Sequence, residues 1–180
     1  MANVFFTADT HFGHGNIIKY CNRPFTHADG SPDPEAQDEA IIKRFNEVLR
    51  PGDLLYHLGD VSWSSFDIQR RFLDRLNTKE VHLILGNHDK HVTVNKFAFK
   101  SVCDLRKFHV GKQSVILCHY PMRSWDGKGK GTPQLYGHVH GKMPGIGRQM
   151  DVGVDTNNFY PWAWEDIWKQ LQTIPWNSYD

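Results

Sequence analysis

Short apolar runs alternate with amphipathic segments through the first half of the chain, and each run ends in polar residues. The runs are "NVFFTADTH", "DLLYHLGDV" and "EVHLILGNHD". Strands that are buried on both faces of a parallel sheet have this nearly continuous apolar character. Between the runs, residues 35–49 and 64–76 place apolar side chains at helical spacing. The alternation predicts an α/β fold with parallel strands and right-handed crossovers in the first half.

The second half of the chain has a different pattern. Residues 102–118 predict two strands around a turn at Gly111-Lys112, and "LYGHVHG" and "MDVGVD" predict further strands with no helix between them. The closing segment "PWAWEDIWKQLQ" begins with proline. It predicts a packed terminal helix, because one helical face collects Trp164, Ile167, Trp168 and Leu171.

Composition describes an ordinary globular protein and predicts a single domain over residues 1–180. Hydrophobic residues make up 39% of the 180 residues, which excludes a disordered tail. The formal net charge of +1 gives no bulk electrostatic argument for a long nucleic acid or a membrane as partner. The cysteines Cys21, Cys103 and Cys118 are too widely spaced for a metal clip and odd in number, so free thiols are expected. No stretch resembles a signal peptide or a membrane helix, which predicts a cytoplasmic protein.

Polar side chains that can bind metals follow each predicted strand of the core. In open α/β sheets the ligand site lies beyond the carboxyl ends of the strands. Carboxylate, amide and imidazole donors without thiolate favour Mn, Fe or Zn over Ca or a soft metal. Seven or eight donors exceed the needs of one ion and suit two ions about 3.5–4 Å apart, with the central Asp60 as a natural bridge. The donors are Asp9, His11, Asp60, Asn87, His88, His119, His138 and His140.

The stretch "YGHVHG" at residues 136–141 places two imidazoles one residue apart between glycines. In an extended segment, His138 and His140 would leave the same face with roughly 7 Å between their Cα atoms, and the glycines would allow close approach to an ion. An isolated pair of this kind is also common among ordinary surface or hydrogen-bonded histidines. Five such motifs at five successive strand ends make coincidence a poor account of the pattern.

The five motifs together resemble the pattern of the calcineurin-like metallophosphoesterases, which is D-x-H, G-D, G-N-H-[DE], a lone His and G-H-x-H. This chain has "DTH" at 9–11, "GD" at 59–60, "GNHD" at 86–89, His119 in "CHYP", and "GHVH" at 137–140. Within that superfamily, "DTHFGH", "HYPMRSW" and "VGVDTNNFYPW" resemble the small, cap-less bacterial and phage-type members.

The resemblance implies a four-layer α/β/β/α sandwich with two facing mixed sheets and a binuclear centre of two divalent ions, with Mn expected and Fe or Zn as alternatives. It implies that Asp60 bridges the ions and that His88 is not a ligand but faces the leaving group. The remaining ligands would divide into one set of Asp9, His11 and His140 and a second set of Asn87, His119 and His138.

These residues predict hydrolysis of a small or accessible phosphate ester, a phosphodiester or nucleotide. Metal-activated hydroxide would attack, and His88 would protonate the leaving group as general acid. Asp89 is expected either to orient His88 or to cap a following helix. His14 and Arg123 are candidate substrate contacts, and Trp125 is a candidate aromatic face for a base or sugar, with an ordinary surface loop as the alternative.

Two departures from related patterns narrow the substrate. The protein phosphatases of the superfamily continue G-D with an aspartate and arginine pair, whereas this chain reads "GDVSWSS", which argues against a phosphoprotein substrate. The added capping domain that DNA-repair nucleases of the superfamily carry is not expected here, which argues against long duplex DNA as the substrate. A metal-bound protein-interaction scaffold and a nuclease for short or single-stranded nucleic acid stay open as alternatives, and the sequence indicates no oligomeric state.

Overall fold

The computed structural model describes residues 2–63, 66–89 and 98–175. None of the helices in these segments has the length and apolar character that crossing a bilayer requires. In chain order the α-helices and strands of the described residues are β1 (Val4–Thr7), α1 (Gly15–Tyr20), α2 (Pro34–Val48), β2 (Leu54–His57), α3 (Phe66–Arg75), β3 (Glu80–Ile84), β4 (Ser101–Cys103), β5 (Leu105–Val110), β6 (Gln113–Cys118), β7 (Gln134–Tyr136), β8 (Gln149–Asp151), β9 (Trp162–Ala163) and α4 (Trp164–Thr173).

The first sheet has the strand order β4-β3-β2-β1-β9. Strands β1 to β4 run parallel to one another, as the alternation of strands and helices predicts, and β9 pairs antiparallel with β1. In the register, Phe6 of β1 lies beside Tyr56 of β2, which lies beside His82 of β3. The carboxyl ends of β1, β2 and β3 therefore open at the same edge of the sheet, where three of the predicted motifs begin.

The second sheet has the strand order β5-β6-β7-β8. β5 and β6 form the predicted antiparallel hairpin around Gly111-Lys112, and β6, β7 and β8 are parallel. Both sheets are thus mixed, and the predicted α/β fold with two facing mixed sheets is confirmed. The single domain over residues 1–180 stays a prediction.

Alternating side chains of β1 enter two different cores. Phe5 joins the core between the first sheet and the helices α1 to α3, where Phe45 and Phe72 are also buried. Phe6 is fully buried on the other face, in the core that the two sheets share with α4. Because successive side chains of a strand point to opposite faces, a strand covered on both faces needs apolar residues at every position.

The C-terminal helix begins later than the sequence predicts. Residues Trp162–Ala163 form the short strand β9, which pairs antiparallel with β1, and α4 begins at Trp164 rather than at Pro161. A strand of two residues is too short to show a periodicity of its own. The predicted packing face is confirmed, with Trp164, Ile167 and Leu171 buried and Trp168 packed against them.

For α3, residues 64 and 65 of the predicted helix lie outside the described residues, and the helix is described from Phe66.

Candidate metal centre

The predicted metal ligands come together in the loops that follow β1, β2 and β3 of the first sheet and β6 and β7 of the second. Among the predicted ligands, two groups have donor atoms within 4.8 Å of one another; they are Asp9, His11 and His140, and Asp60, His119 and His138. A third group in the described residues, Cys21, His140 and Asp155, shares His140 with the first. Asn87 adjoins the second group, with its Oδ1 atom 3.1 Å from Nε2 of His119. The grouping agrees with the division that the family resemblance implies, and the role of these residues as ligands stays a prediction.

Asp60 lies between the two groups. Its Oδ2 atom is 3.7 Å from Nε2 of His11 in the first group and 3.5 Å from Nε2 of His119 in the second. Its Oδ1 atom accepts a hydrogen bond of 2.9 Å from the backbone N–H of His88. The carboxylate is almost fully buried, and this burial raises its pKa above the ordinary value for aspartate. The position is the one that a carboxylate bridging two ions would take.

The tautomer of His119 is fixed by the backbone. Its Nδ1 atom lies 2.7 Å from the carbonyl oxygen of Leu58, which only accepts, so Nδ1 carries the proton. Burial lowers the pKa of His119, which keeps the ring neutral. Its Nε2 atom therefore directs a lone pair toward the side chains of Asn87 and Asp60. A cation is the partner that satisfies such a set.

The first group contains buried polar atoms without hydrogen-bond partners. They are Oδ1 of Asp9 and both ring nitrogens of His11, in residues that are 0% and 2% exposed. Burial raises the pKa of Asp9 well above its ordinary value and lowers that of His11 well below it. Unpartnered buried polar atoms cost about 1–3 kcal/mol each. Oxygen and imidazole donors with open coordination therefore fit a divalent ion at this group.

A buried carboxylate and guanidinium hold the third member of the first group. Nδ1 of His140 lies 2.7 Å from Oδ2 of Asp155, and Arg23 donates from Nε and Nη2 to the two oxygens of Asp155, each at 2.7 Å. Burial lowers the pKa of His140, but hydrogen bonds with Asp155 and Cys21 outweigh it and raise the pKa to about 10. Because Nδ1 is engaged by Asp155, Nε2 is the atom left for an ion.

His138 and His140 do not lie in an extended strand, so the prediction that they leave the same face is wrong. β7 ends at Tyr136, and the two histidines have φ angles of 71° and 51°. The preceding Gly137 is required for close approach, because a Cβ atom there would lie 2.7 Å from Oδ2 of Asp9. The backbone N–H of His138 donates to that same oxygen at 2.8 Å. Each imidazole consequently turns toward a different group of donors.

Left-handed backbone is concentrated at this site. Eight non-glycine residues have positive φ in the described part of the chain, and five of them are predicted ligands. Such conformations cost on the order of 1–3 kcal/mol each and persist where the surroundings impose them. They turn the side chains out of the strand direction and toward one point. The five are Asp9, His11, Asp60, His138 and His140.

Asp89 has a role that the sequence does not predict. Its buried carboxylate accepts backbone hydrogen bonds from Asp60 at 2.7 Å, from Val61 at 3.0 Å and from Gly86 at 2.7 Å. These contacts fasten the loop after β2 to the loop after β3. Residues 90–97, where a helix capped by Asp89 would begin, lie outside the described residues. Asp89 therefore fixes the backbone that carries Asp60.

His88 is the accessible imidazole beside the two groups. Its side chain is 34% exposed, and its Nε2 atom lies 3.9 Å from Oδ2 of Asp60. It belongs to neither group of converging donors among the described residues. Its ring also contacts Trp63, with 4.8 Å between ring centroids. His88 is thus placed beside the donor groups and open to a cavity of about 250 Å³.

The candidate substrate contacts differ in whether they line the cavity. His14 lines the cavity, and its ring stacks on Trp63. Arg123 is exposed and is not among the described residues that line the cavity, so its role stays a prediction without support here. Trp125 is buried, and its Nε1 atom donates to the carbonyl of Thr132 at 2.7 Å, so it offers no face to a substrate. Two exposed aromatic side chains line the cavity in the described part of the chain, Trp63 and Tyr20.

The chain is similar to known proteins of about the same length. The uncharacterized protein MJ1445 of Methanocaldococcus jannaschii is 32% identical over 181 residues, which cover 96% of this chain and 93% of the relative. The gene 66 protein of Mycobacterium phage L5 is 27% identical over 188 residues, covering 86% and 87%. The crystal structure of AQ665 from Aquifex aeolicus, a protein of unknown function, superposes with a TM-score of 0.75 at 25% identity, over 94% of this chain and 100% of that one.

The family follows from a match over almost the whole chain. Residues 2–177 match the family described as calcineurin-like phosphoesterase. This match confirms the family that the five motifs predict, and with it a metal-dependent hydrolase of phosphate esters in general terms. The two groups of converging donors are the feature of the described structure that such a family requires. The chain belongs to the calcineurin-like phosphoesterase family.

Proposed function

We propose that this protein is a binuclear metal-dependent phosphoesterase that hydrolyses a small or accessible phosphate ester, a phosphodiester or a nucleotide. One observation carries the proposal. The Oδ2 atom of Asp60 lies within 3.7 Å of a ring nitrogen from each donor group, beside the accessible imidazole of His88. A shared carboxylate between two donor groups is the arrangement that two ions acting on one phosphate need.

The predicted ligands would form two ion-binding sets that share one carboxylate. Asp60 would be shared, Asp9, His11 and His140 would hold one ion, and Asn87, His119 and His138 the other. Their oxygen and nitrogen atoms suit Mn, Fe or Zn. When bound, such ions lower the pKa of a water molecule and neutralise the phosphoryl oxygens as charge develops.

His88 would supply the proton that the leaving group needs. When a P–O ester bond breaks, the departing alkoxide takes a proton, and imidazole is suited to donate one near neutral pH. Two contacts position the ring: the backbone N–H of His88 donates to Asp60, and Trp63 packs against the side chain. His88 therefore reaches the cavity from a fixed backbone while its side chain stays accessible to an ester.

The described site favours an enzyme over the metal-bound interaction scaffold that the sequence leaves open. A metal-bound interaction scaffold has no need for an accessible imidazole beside a full set of donors. A nuclease for short or single-stranded nucleic acid would use the same centre and differ only in the substrate. The segment after Asp60 continues into Trp63 and lacks the aspartate and arginine pair of the protein phosphatases, which supports a diester over a phosphoprotein.

A substrate panel tests the proposal. The purified protein, stripped with a chelator and reloaded with Mn²⁺, is assayed with bis(p-nitrophenyl) phosphate, p-nitrophenyl phosphate, cyclic nucleotides, short oligonucleotides and a phosphoserine peptide. We expect hydrolysis of the diesters, loss of activity on chelation, and slower hydrolysis of the phosphopeptide. Absence of hydrolysis of every ester by the metal-loaded protein would favour the scaffold. A clear preference for the phosphopeptide would contradict the choice of substrate.

A further inference from the structure

Trp63 presents an open aromatic surface beside the candidate metal centre. Its side chain is 46% exposed although it is among the largest apolar side chains of the chain. It lines the same cavity as Asp60 and His88. Exposed aromatic rings next to a polar site are typical of ligand contacts, since burial of the ring on binding stabilises the complex.

The orientation of Trp63 is set by its neighbours. His14 covers one side of it, with ring centroids 4.0 Å apart and ring planes 9° from parallel. The backbone N–H of Trp63 donates to the carbonyl of Phe12 at 3.1 Å, and Ser62 pairs with Phe12 in a parallel bridge. Trp63 is therefore a pre-ordered surface, and a ligand that stacks on it loses little of the entropy that ordering a mobile ring would cost.

The anchoring side chain itself borders the cavity. His14 is only 7% exposed, lines the cavity, and has a buried Nδ1 atom with no hydrogen-bond partner. Its ring packs face to face against Trp63 as an aromatic group. His14 therefore supports the ring of Trp63 at the wall of the cavity.

Helix α1 contributes other residues of the cavity. Ile17 supplies an apolar surface, Tyr20 supplies a second aromatic ring that is 67% exposed, and Asn16 supplies an amide that both donates and accepts hydrogen bonds. Flat faces, an apolar surface and one amide are what a heterocyclic base requires, because its faces stack and its edge forms hydrogen bonds. A simple alkyl ester would leave these groups unused.

We propose that this part of the cavity binds the nucleobase of the substrate, stacked on Trp63, while the phosphate lies at the candidate metal centre. The inference rests on the proposed function and names its substrate class as a nucleotide or nucleoside phosphodiester. Trp63 contacts His88 with 4.8 Å between ring centroids. Because His88 protonates the leaving oxygen, the nucleoside whose base stacks on Trp63 is the leaving group.

Equilibrium binding without turnover tests this site. Phosphonates, in which carbon replaces the ester oxygen, cannot lose their organic group by P–O cleavage. Titration calorimetry on the Mn²⁺-loaded protein would compare the adenosine 5′-phosphonate analogue of AMP, the matching ribose phosphonate without a base, and phenylphosphonate. We expect the adenosine compound to bind about 5- to 150-fold more tightly than the ribose compound, the range that stacking of one base gives.

Substitutions assign that preference to Trp63. Trp63→Ala should remove most of the advantage of the adenosine compound and leave the affinity for the ribose compound unchanged, while Trp63→Phe should retain much of it. Leu105→Ala is the matched control, because Leu105 is 48% exposed and does not line the cavity. This variant should bind all three compounds as the unmodified protein does.

Several results would overturn the inference while leaving the proposed function intact. These are equal affinity for the adenosine and ribose compounds, an adenosine preference that survives Trp63→Ala, and an equal loss for both compounds in that variant. Phenylphosphonate binding as tightly as the adenosine compound would assign the site to aryl groups instead. Failure to bind any of them, in a protein that hydrolyses the model diester, would exclude a nucleoside site. Failure of the proposed function would appear separately, as absence of hydrolysis of every ester.

Discussion

Nδ1 of His140 lies 2.7 Å from Oδ2 of Asp155, and this contact ties a predicted metal ligand to a buried network. Arg23 completes the network by binding both oxygens of Asp155, and it also donates to the backbone carbonyl of Asp9 at 2.8 Å. A carboxylate behind a ligating histidine fixes the tautomer and makes the other ring nitrogen a better ligand. Arg23 and Asp155 are therefore positioning residues for the first group of donors.

Asp155→Asn should weaken binding of one ion and spare the other. The amide cannot replace the charge that orients His140, so we expect about a 10- to 100-fold loss of affinity for the ion of the first group. Titration calorimetry with Mn²⁺ would resolve the two binding events. Asp126→Asn is the control, because Asp126 is an exposed carboxylate that pairs with Lys107. Two unchanged affinities in Asp155→Asn would show that the contact only supports folding.

Asp60 and His140 should differ in how many ions they affect. Asp60 lies between the groups, so Asp60→Asn should lower the occupancy of both ions, whereas His140→Ala should lower mainly one. Metal analysis of the proteins after equilibration with Mn²⁺ gives the number of ions per chain, and circular dichroism checks that each variant is folded. If Asp60→Asn kept two ions, the bridging role would be wrong.

His88→Ala should separate catalysis from metal binding. We expect metal content and thermal stability to stay nearly unchanged while turnover falls by about 10²- to 10⁴-fold, as for loss of a positioned proton donor. The loss should be smaller for a nitrophenyl ester than for a nucleoside or alkyl ester, because a good leaving group needs little protonation. Loss of metal in the variant would make His88 a ligand. Equal losses for both leaving groups would remove the acid role.

His57 should make the stability of the metal-free protein depend on pH. It is fully buried, with Nε2 2.9 Å from Oγ1 of Thr10, and burial lowers its pKa to about 3. The unfolded chain, with a histidine pKa of about 6.5, binds a proton between these values that the folded chain does not. The stability from neutral His57 is therefore present above pH 6.5 and is lost as the pH falls toward 3, by about 2 kcal/mol between pH 7 and pH 5.

Urea unfolding at pH 7 and pH 5 would measure this contribution. In His57→Gln the free energy of unfolding should fall less on acidification than in the unmodified protein, by about the same 2 kcal/mol. His109→Gln is the control, because His109 is exposed and should keep the original pH dependence. An identical pH dependence in His57→Gln and the unmodified protein would rule out His57 as the source.

Local sequence patterns are sufficient to predict the parallel half of the fold and the polar residues that converge at its edge. Buried strands need apolar residues at every position, so the runs before Asp9, Asp60 and Asn87 identify both the strands and their carboxyl ends. Parallel pairing then brings those ends to one edge of the sheet. The hairpin of β5 and β6 can also be predicted from sequence, because a glycine turn between two alternating segments is a local signal.

Contacts between distant residues could not be predicted in this way. Arg23 and Asp155 are 132 residues apart, and nothing in either local sequence indicates that they pair. The left-handed backbone of His138 and His140 depends on how Gly137 packs against Asp9, which only the assembled sheets determine. The sequence likewise offers Trp125 as a candidate aromatic face or an ordinary loop residue, whereas Trp125 is buried and Trp63 is exposed, because tertiary packing decides which ring is covered.

A titration of the metal-free protein with Mn²⁺, followed by hydrolysis of a model diester, tests the central claim most directly. Two donor groups share Asp60, and the chemistry proposed for them needs both ions on one phosphate. Activity should therefore stay low through the first equivalent of Mn²⁺ per chain and rise to its plateau at the second. Full activity at one equivalent, or no hydrolysis by protein that has bound two, would contradict the account.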